Sequence, residues 1–98
     1  MNELTALADP TRQRIVSMLA KGALSSGDIA RRFDMTAPAV SQHLKTLREA
    51  RLVKVRAEAQ KRIYELNEEG VGELEKWVKD LRKFWANKLD ALEAELRK

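Results

Sequence analysis

Apolar positions recur at helical spacing along most of this chain, and the pattern switches to alternation in one short region. In residues 35–48, MTAPAVSQHLKTLR, Val40, Leu44 and Leu47 fall at i, i+4 and i+7 and form one stripe. Pro38, Gln42, Lys45 and Glu49 lie opposite, Ser41 and Arg48 on one flank. His43 lies on the other flank, nearer the stripe than Gln42. Thr36 is a good N-cap, and Pro38 falls in the first turn, where a missing N–H costs little. The stretch is therefore a short helix held to a core by three aliphatics. It presents small polar and basic groups to solvent, with no carboxylate before Glu49.

The neighbouring pattern gives that helix a frame. Residues 2–8 form a short helical stretch with Leu4 and Leu7 on one side, too short to stand alone. Asp9-Pro10 is an N-cap followed by proline at the first helical position. The helix over 10–21 turns Ile15, Met18 and Leu19 inward, and Gly22 ends it. Ser25 with Asp28 fits a capping box, with Asp in place of Glu, opening a helix over 26–33 that buries Ile29, Ala30 and Phe33. Asp34-Met35-Thr36 is a tight turn into the first-described helix. Two short helices joined by a three-residue turn make a helix-turn-helix.

Residues 52–56, LVKVR, and 62–66, RIYEL, alternate as two antiparallel strands. Their connection, 57–61, lacks the Asn-Gly or Gly-X pair of a tight hairpin, so a longer and more mobile loop is expected. A hairpin after a helix-turn-helix is the wing of a winged helix.

Asn67 caps a final helix, with Glu68 and Glu69 near its positive end. Gly70 and Gly72 weaken its first turns. Val71, Leu74, Val78, Leu81 and Trp85 then recur at 3, 4, 3, 4, a heptad-like seam that continues through Leu89, Leu92 and Leu96 after a slip at Lys88. Trp77 and Phe84 flank it. This helix would run about 40 Å at ~1.5 Å per residue. One small domain cannot cover such a stripe, since a chain of this size buries only about 60–65% of its unfolded surface. The expected cover is the same helix of a second subunit, with the first helix beside it. The expected dimer face is Leu4, Leu7, Val71, Leu74, Val78, Leu81, Trp85, Leu89 and Leu92. The expected fold is mainly α, a winged helix-turn-helix in the order α-α-α-α-β-β-α ending in a long dimerisation helix. It forms one domain over 1–98, with the helix-turn-helix at 25–50, the wing at 52–66 and dimerisation helices at 1–8 and 68–98.

Charge and composition narrow the chemistry. Seven basic residues against two acidic ones leave +5 between Thr36 and Ile63, whereas the whole chain carries +4. The positive field is thus concentrated on the polar helix and the hairpin, where it attracts polyanions. Gln and Ser read base edges, and Lys and Arg hold phosphates. Double-stranded DNA is the expected partner. Ser41, Gln42 and His43 would face bases, and Thr36, Lys45 and Arg48 the backbone, with Pro38 on the same surface. Arg56, Lys61 and Arg62 would make the wing contact. Each feature has a plainer reading: a surface helix, a solvated basic face, a hairpin whose charges keep an edge strand soluble. A winged helix used for protein–protein assembly is the competing function.

With no cysteine and one histidine, disulfides, thiolate sites and multi-histidine metal sites cannot be built within one chain. No cofactor is expected. No nucleophile–base pair, paired-carboxylate constellation or phosphate-cradling loop suggests an enzyme. No run approaches a membrane span and the N-terminus lacks an apolar signal-peptide core, so a cytoplasmic protein without membrane contact is expected.

ALADPTRQRIVSML, LSSGDIARRFDMTAPAVSQHLKTLREARLV and RIYEL together resemble the ArsR/SmtB class of winged-helix bacterial repressors. The likeness covers roughly residues 4–67. It implies a homodimer built on the first and last helices that binds an inverted-repeat operator and represses transcription. The tail, with Trp77, Phe84-Trp85 and LDALEAEL, is similar to members lacking metal sites. Ser25 and Ser26 stand where the family's arsenic and cadmium sensors carry Cys-x-Cys, and the last helix has no histidine for the family's zinc site. The metal response is therefore not implied, which leaves room for an unidentified small-molecule effector. Ala59 stands near a wing tip that often holds glycine.

Overall fold

Four polar residues start four of the five helices, as their chemistry dictates. The Asp9 carboxylate accepts from the Arg12 N–H at 3.0 Å and the Ser25 hydroxyl from the Asp28 N–H at 3.1 Å. The Thr36 hydroxyl accepts from the Ala39 N–H, and the Asn67 side-chain amide oxygen from the Glu69 N–H, both at 3.3 Å. Each satisfies a donor that the first helical turn leaves without a partner.

The computed structural model describes residues 2–97; Met1 and Lys98, which bound the expected domain, lie outside the described residues. In chain order the elements are α1 (Asn2–Ala6), α2 (Pro10–Leu19), β1 (Leu24–Ser25), α3 (Ser26–Arg31), α4 (Ala37–Glu49), β2 (Val53–Glu58), β3 (Lys61–Leu66) and α5 (Glu68–Leu96). The expected order is corrected by one element, since Leu24 and Ser25 pair with Tyr64 and Ile63 and add a third strand. The antiparallel sheet runs β1-β3-β2. The core is the one the stripes describe: Ile15, Ile29, Val40, Leu44, Leu47 and Leu52 are fully enclosed, with Leu19, Phe33 and Tyr64 around them. Burying each such aliphatic contributes about 1.5–3 kcal/mol. The short α1 is held by two side chains of α2, Arg12 Nε donating to the Ala6 carbonyl at 2.6 Å and Gln13 Nε2 to the Leu7 carbonyl at 2.7 Å.

The wing corrects a second expectation. Glu58 pairs with Lys61, so the turn is only Ala59-Gln60 rather than a long loop. Ala59 supplies the bend at φ +56°, a conformation that costs a non-glycine residue about 1–2 kcal/mol. Ala59→Gly should therefore stabilise the protein by about 0.5–1 kcal/mol, the relief of strain less glycine's larger unfolded-state entropy. Urea denaturation measures it, and an unchanged or lower midpoint would show that the turn is relaxed as it stands.

The α4–β2 corner closes with the Arg51 N–H on the Arg48 carbonyl at 2.9 Å and the Leu52 N–H on the Leu47 carbonyl at 3.0 Å. This is a Schellman closure in which Arg51, at φ +63°, takes the place usually held by glycine. The first turns of α5 dock beside this corner. Val71, Leu74 and, on the α1 side, Leu7 are half-buried against the chain's own core. From Glu75 on, α5 leaves the body and is exposed, in a molecule 67 × 26 × 22 Å across. Leu4, Val78, Leu81, Trp85, Leu89 and Leu92 all face solvent, Trp85 at 56% and Leu89 at 62% exposure.

Candidate nucleic-acid interface

The burial of α4 divides it cleanly. Val40, Leu44 and Leu47 are 2% exposed or less, while Thr36, Pro38, Ser41, Gln42, Lys45 and Arg48 are exposed. Three aliphatic anchors thus fix the rotation of the helix and turn six of the seven candidate residues outward.

His43 is the exception. Its side chain is only 19% exposed, and Nδ1 lies 3.2 Å from Arg12 Nη1 and 3.9 Å from Asp9 Oδ2. The ring is thus within hydrogen-bond reach of Arg12 and beside the Asp9 carboxylate. Arg12 at once holds the end of α1, the start of α2 and the flank of α4. No local signal in the sequence shows Arg12 a partner 31 positions away. The same corner has an electrostatic consequence: the Arg12 N–H, with charge from His43 and Arg12, holds the Asp9 carboxyl below its usual range despite some desolvation.

The hairpin does not bring its three candidates together. Side chains alternate between faces of a strand. The register therefore puts Arg56 and Lys61 on one face of the wing and Arg62 on the other, with Tyr64. All three are exposed. Arg56 is already engaged: Nη1 lies 2.5 Å from Glu58 Oε2 and Nε 3.7 Å from Glu65 Oε1. The hydrogen bond Arg56 donates to Glu58 raises the arginine's pKa, assisted by the charge of both carboxylates. Arg51, at the far corner, pairs with Glu69 and Glu73 of α5. Among the described residues, Lys45, Arg48, Lys54, Lys61 and Arg62 have no ion-pair partner.

Among the described residues no group of three or more His, Asp or Glu is placed to hold a metal ion, and no helix is long and apolar enough to cross a membrane. The arrangement offers an exposed polar-and-basic helix, flanked by a hairpin with unpaired cations.

Known proteins share both the sequence and this fold. The family described as "Bacterial regulatory protein, arsR family" matches residues 9–55. The HTH-type transcriptional regulator Rv2034 of Mycobacterium tuberculosis is 46% identical over 84 residues, covering 86% of this chain and 76% of that protein. The transcriptional repressor SdpR of Bacillus subtilis is 36% identical over 66 residues, covering 67% and 73%. The solution structure of Mb0332 from Mycobacterium bovis, described as a homodimeric winged helix-turn-helix DNA-binding domain, superposes with a TM-score of 0.69 at 28% identity, covering 84% of this chain and 76% of that one. These relatives are regulators, not enzymes. The chain belongs to the ArsR family of winged helix-turn-helix transcriptional regulators.

Proposed function

We propose that this chain is a homodimeric repressor that binds an inverted-repeat operator, with α4 in the major groove and the wing against the flanking backbone. The observation that carries the reading is the division of α4, whose fully buried Val40, Leu44 and Leu47 aim Ser41, Gln42, Lys45 and Arg48 outward. Ser41 and Gln42 read base edges; Thr36, Lys45 and Arg48 hold phosphates beside Pro38. His43 steadies α4 against Arg12 and presents at most its outer edge to the groove. Lys61 and Arg62 meet the backbone from opposite faces of the wing, with Arg56 held in reserve. The dimer seam is the exposed stripe of α5 from Val78 to Leu92, with Leu4 beside it; the homodimeric Mb0332 domain supports a dimer. Leu7, Val71 and Leu74 support the seam from beneath, through the chain's own core. The protein works in the cytoplasm, where its DNA is.

The test is binding of wild-type and variant protein to a footprinted operator and to random DNA. If each subunit neutralises about four phosphates, log K should fall with log salt at a slope of roughly −7. Gln42→Ala should cost about 1–3 kcal/mol on the operator and little on random DNA. Lys61→Ala should weaken both alike. An equal loss on both DNAs for Gln42→Ala would move the reading face elsewhere.

Regulation does not run through the family's metal sites. Ser25 and Ser26 lack thiolates, and His43, the single histidine, is turned toward Arg12. Zinc or cadmium titration should leave operator affinity unchanged; submicromolar binding of one ion per subunit coupled to DNA release would contradict this.

A further inference from the structure

Between Ala50 and Tyr64 the chain carries five cations, Arg51, Lys54, Arg56, Lys61 and Arg62, and a single carboxylate, Glu58. That carboxylate sits on Arg56. The pairing follows from strand geometry: residues 56 and 58 are two apart on β2 and share a face, opposite Ile63 and Lys61 of β3. Glu65, on the same face of β3, approaches the other side of the guanidinium at 3.7 Å. The guanidinium of Arg56 is thus approached from two directions, while among the described residues its neighbours Lys61 and Arg62 have no carboxylate within 4 Å, Lys61 acting only at longer range on Asp28. Both partners remain accessible, at 49% and 66% side-chain exposure. Glu58 fills no space in the core and caps no helix.

We propose that Glu58 masks Arg56, so that the wing arginine reaches a DNA phosphate only by exchanging one anion for another. This rests on the reading of the wing as a DNA contact. Carboxylate and phosphate compete for the same guanidinium donors. A pair this exposed is weak, so the mask sets an affinity rather than blocking a site. It acts on backbone contacts and so lowers affinity for every DNA sequence alike. Glu58 is thereby a positioning residue that tunes the occupancy of DNA by the whole protein.

The test is a four-protein cycle of wild type, Glu58→Gln, Arg56→Ala and the double variant, titrated onto operator and random duplexes at several salt concentrations. Glu58→Gln should tighten binding to both duplexes, by up to about fivefold per wing and about 25-fold for two. Its salt slope should steepen by about 0.9 for each freed arginine, a change that a merely structural role of Glu58 would not produce. Arg56→Ala should weaken binding by no more than about fivefold per wing, because the masked arginine gains only an exchange of anions, and the double variant should fall back to Arg56→Ala. A double variant that keeps the gain would show that Glu58 acts by repelling phosphate directly, and would overturn the proposal. So would an inert Glu58→Gln, or a large loss from Arg56→Ala alone. Lys61→Ala separates the two levels: if it weakens binding while Glu58→Gln changes nothing, the wing contact stands and the mask falls. If Lys61→Ala is also without effect, the wing does not meet DNA.

Discussion

Gly70→Ala is expected to lower the melting temperature by roughly 5–20 °C, while Gly72→Ala, two residues along the same helix, raises it. Both glycines lie in the first turns of α5, where alanine is the better helix former by about 1 kcal/mol. Propensity alone would make both substitutions stabilising. A Cβ at Gly72 would meet nothing within 4 Å, so the gain is realised there. A Cβ at Gly70 would lie 1.7 Å from the Arg51 carbonyl oxygen and 2.6 Å from its carbonyl carbon. Backbone cannot rotate away as a side chain can, so the corner or the helix must move. Such overpacking costs about 1–3 kcal/mol or more. The same corner is bound to α5 by the Asn67 N–H on the Leu52 carbonyl at 2.9 Å and by Arg51 on Glu69 and Glu73 at 3.2 and 3.1 Å. It joins the end of α4 to the start of α5. Thermal denaturation at matched protein concentration reads the pair, because dimerisation makes the midpoint concentration-dependent. Two shifts of the same sign would show that the close approach at Gly70 is relieved without cost.

What the sequence made legible, and what it hid, divides by the distance over which each feature is decided. The N-caps at Asp9, Ser25, Thr36 and Asn67 need only three or four consecutive residues, and all four form as read. The stripes of α4 and α5 need a turn or two of helix, and the residues of α4 are buried or exposed as their phase requires. Strand β1 gives no sequence signal because two residues carry no period; it exists only through pairing with β3, some 40 positions on. The wing turn was missed because alanine does not advertise a positive φ. With the turn length wrong, the register was open, and so was the face on which each wing arginine stands. Gly70 looks like a local weakness in the sequence because its reason, the Arg51 carbonyl, lies 19 positions back in the chain. His43 shows the same limit. Its flank position was readable, but its partner on α2 was not. Electrostatic summation over residues 36–63 located the basic region, yet it counted Arg51 and Arg56 as free cations when each is paired with two carboxylates.

The double variant Leu81→Ala with Trp85→Ala is expected to abolish the dimer and, with it, operator affinity, without touching any residue of α4. One helix-turn-helix reaches only a few base pairs, too few for a specific operator. Two copies related by a two-fold axis read half-sites about 34–36 Å apart, one turn of the duplex. The spacing is set by whatever joins the subunits, and α5 carries the apolar surface left over by the fold. Leu81 and Trp85 are 38% and 56% exposed, and Phe84 stands edge-on to Trp85 with ring centroids 5.7 Å apart. Contiguous exposed apolar surface of this kind marks an interaction face. Truncating a buried leucine or tryptophan costs roughly 2–5 kcal/mol, and a two-fold interface suffers each truncation twice. The core of Ile15, Ile29, Leu44, Leu47 and Leu52 is complete without these residues, so the monomer has the means to remain folded. Sedimentation and circular dichroism separate the outcomes. A folded monomer that binds random DNA weakly and the operator no better places the seam on α5. A folded dimer with unchanged operator binding means that the subunits meet elsewhere, and that the long helix serves another partner.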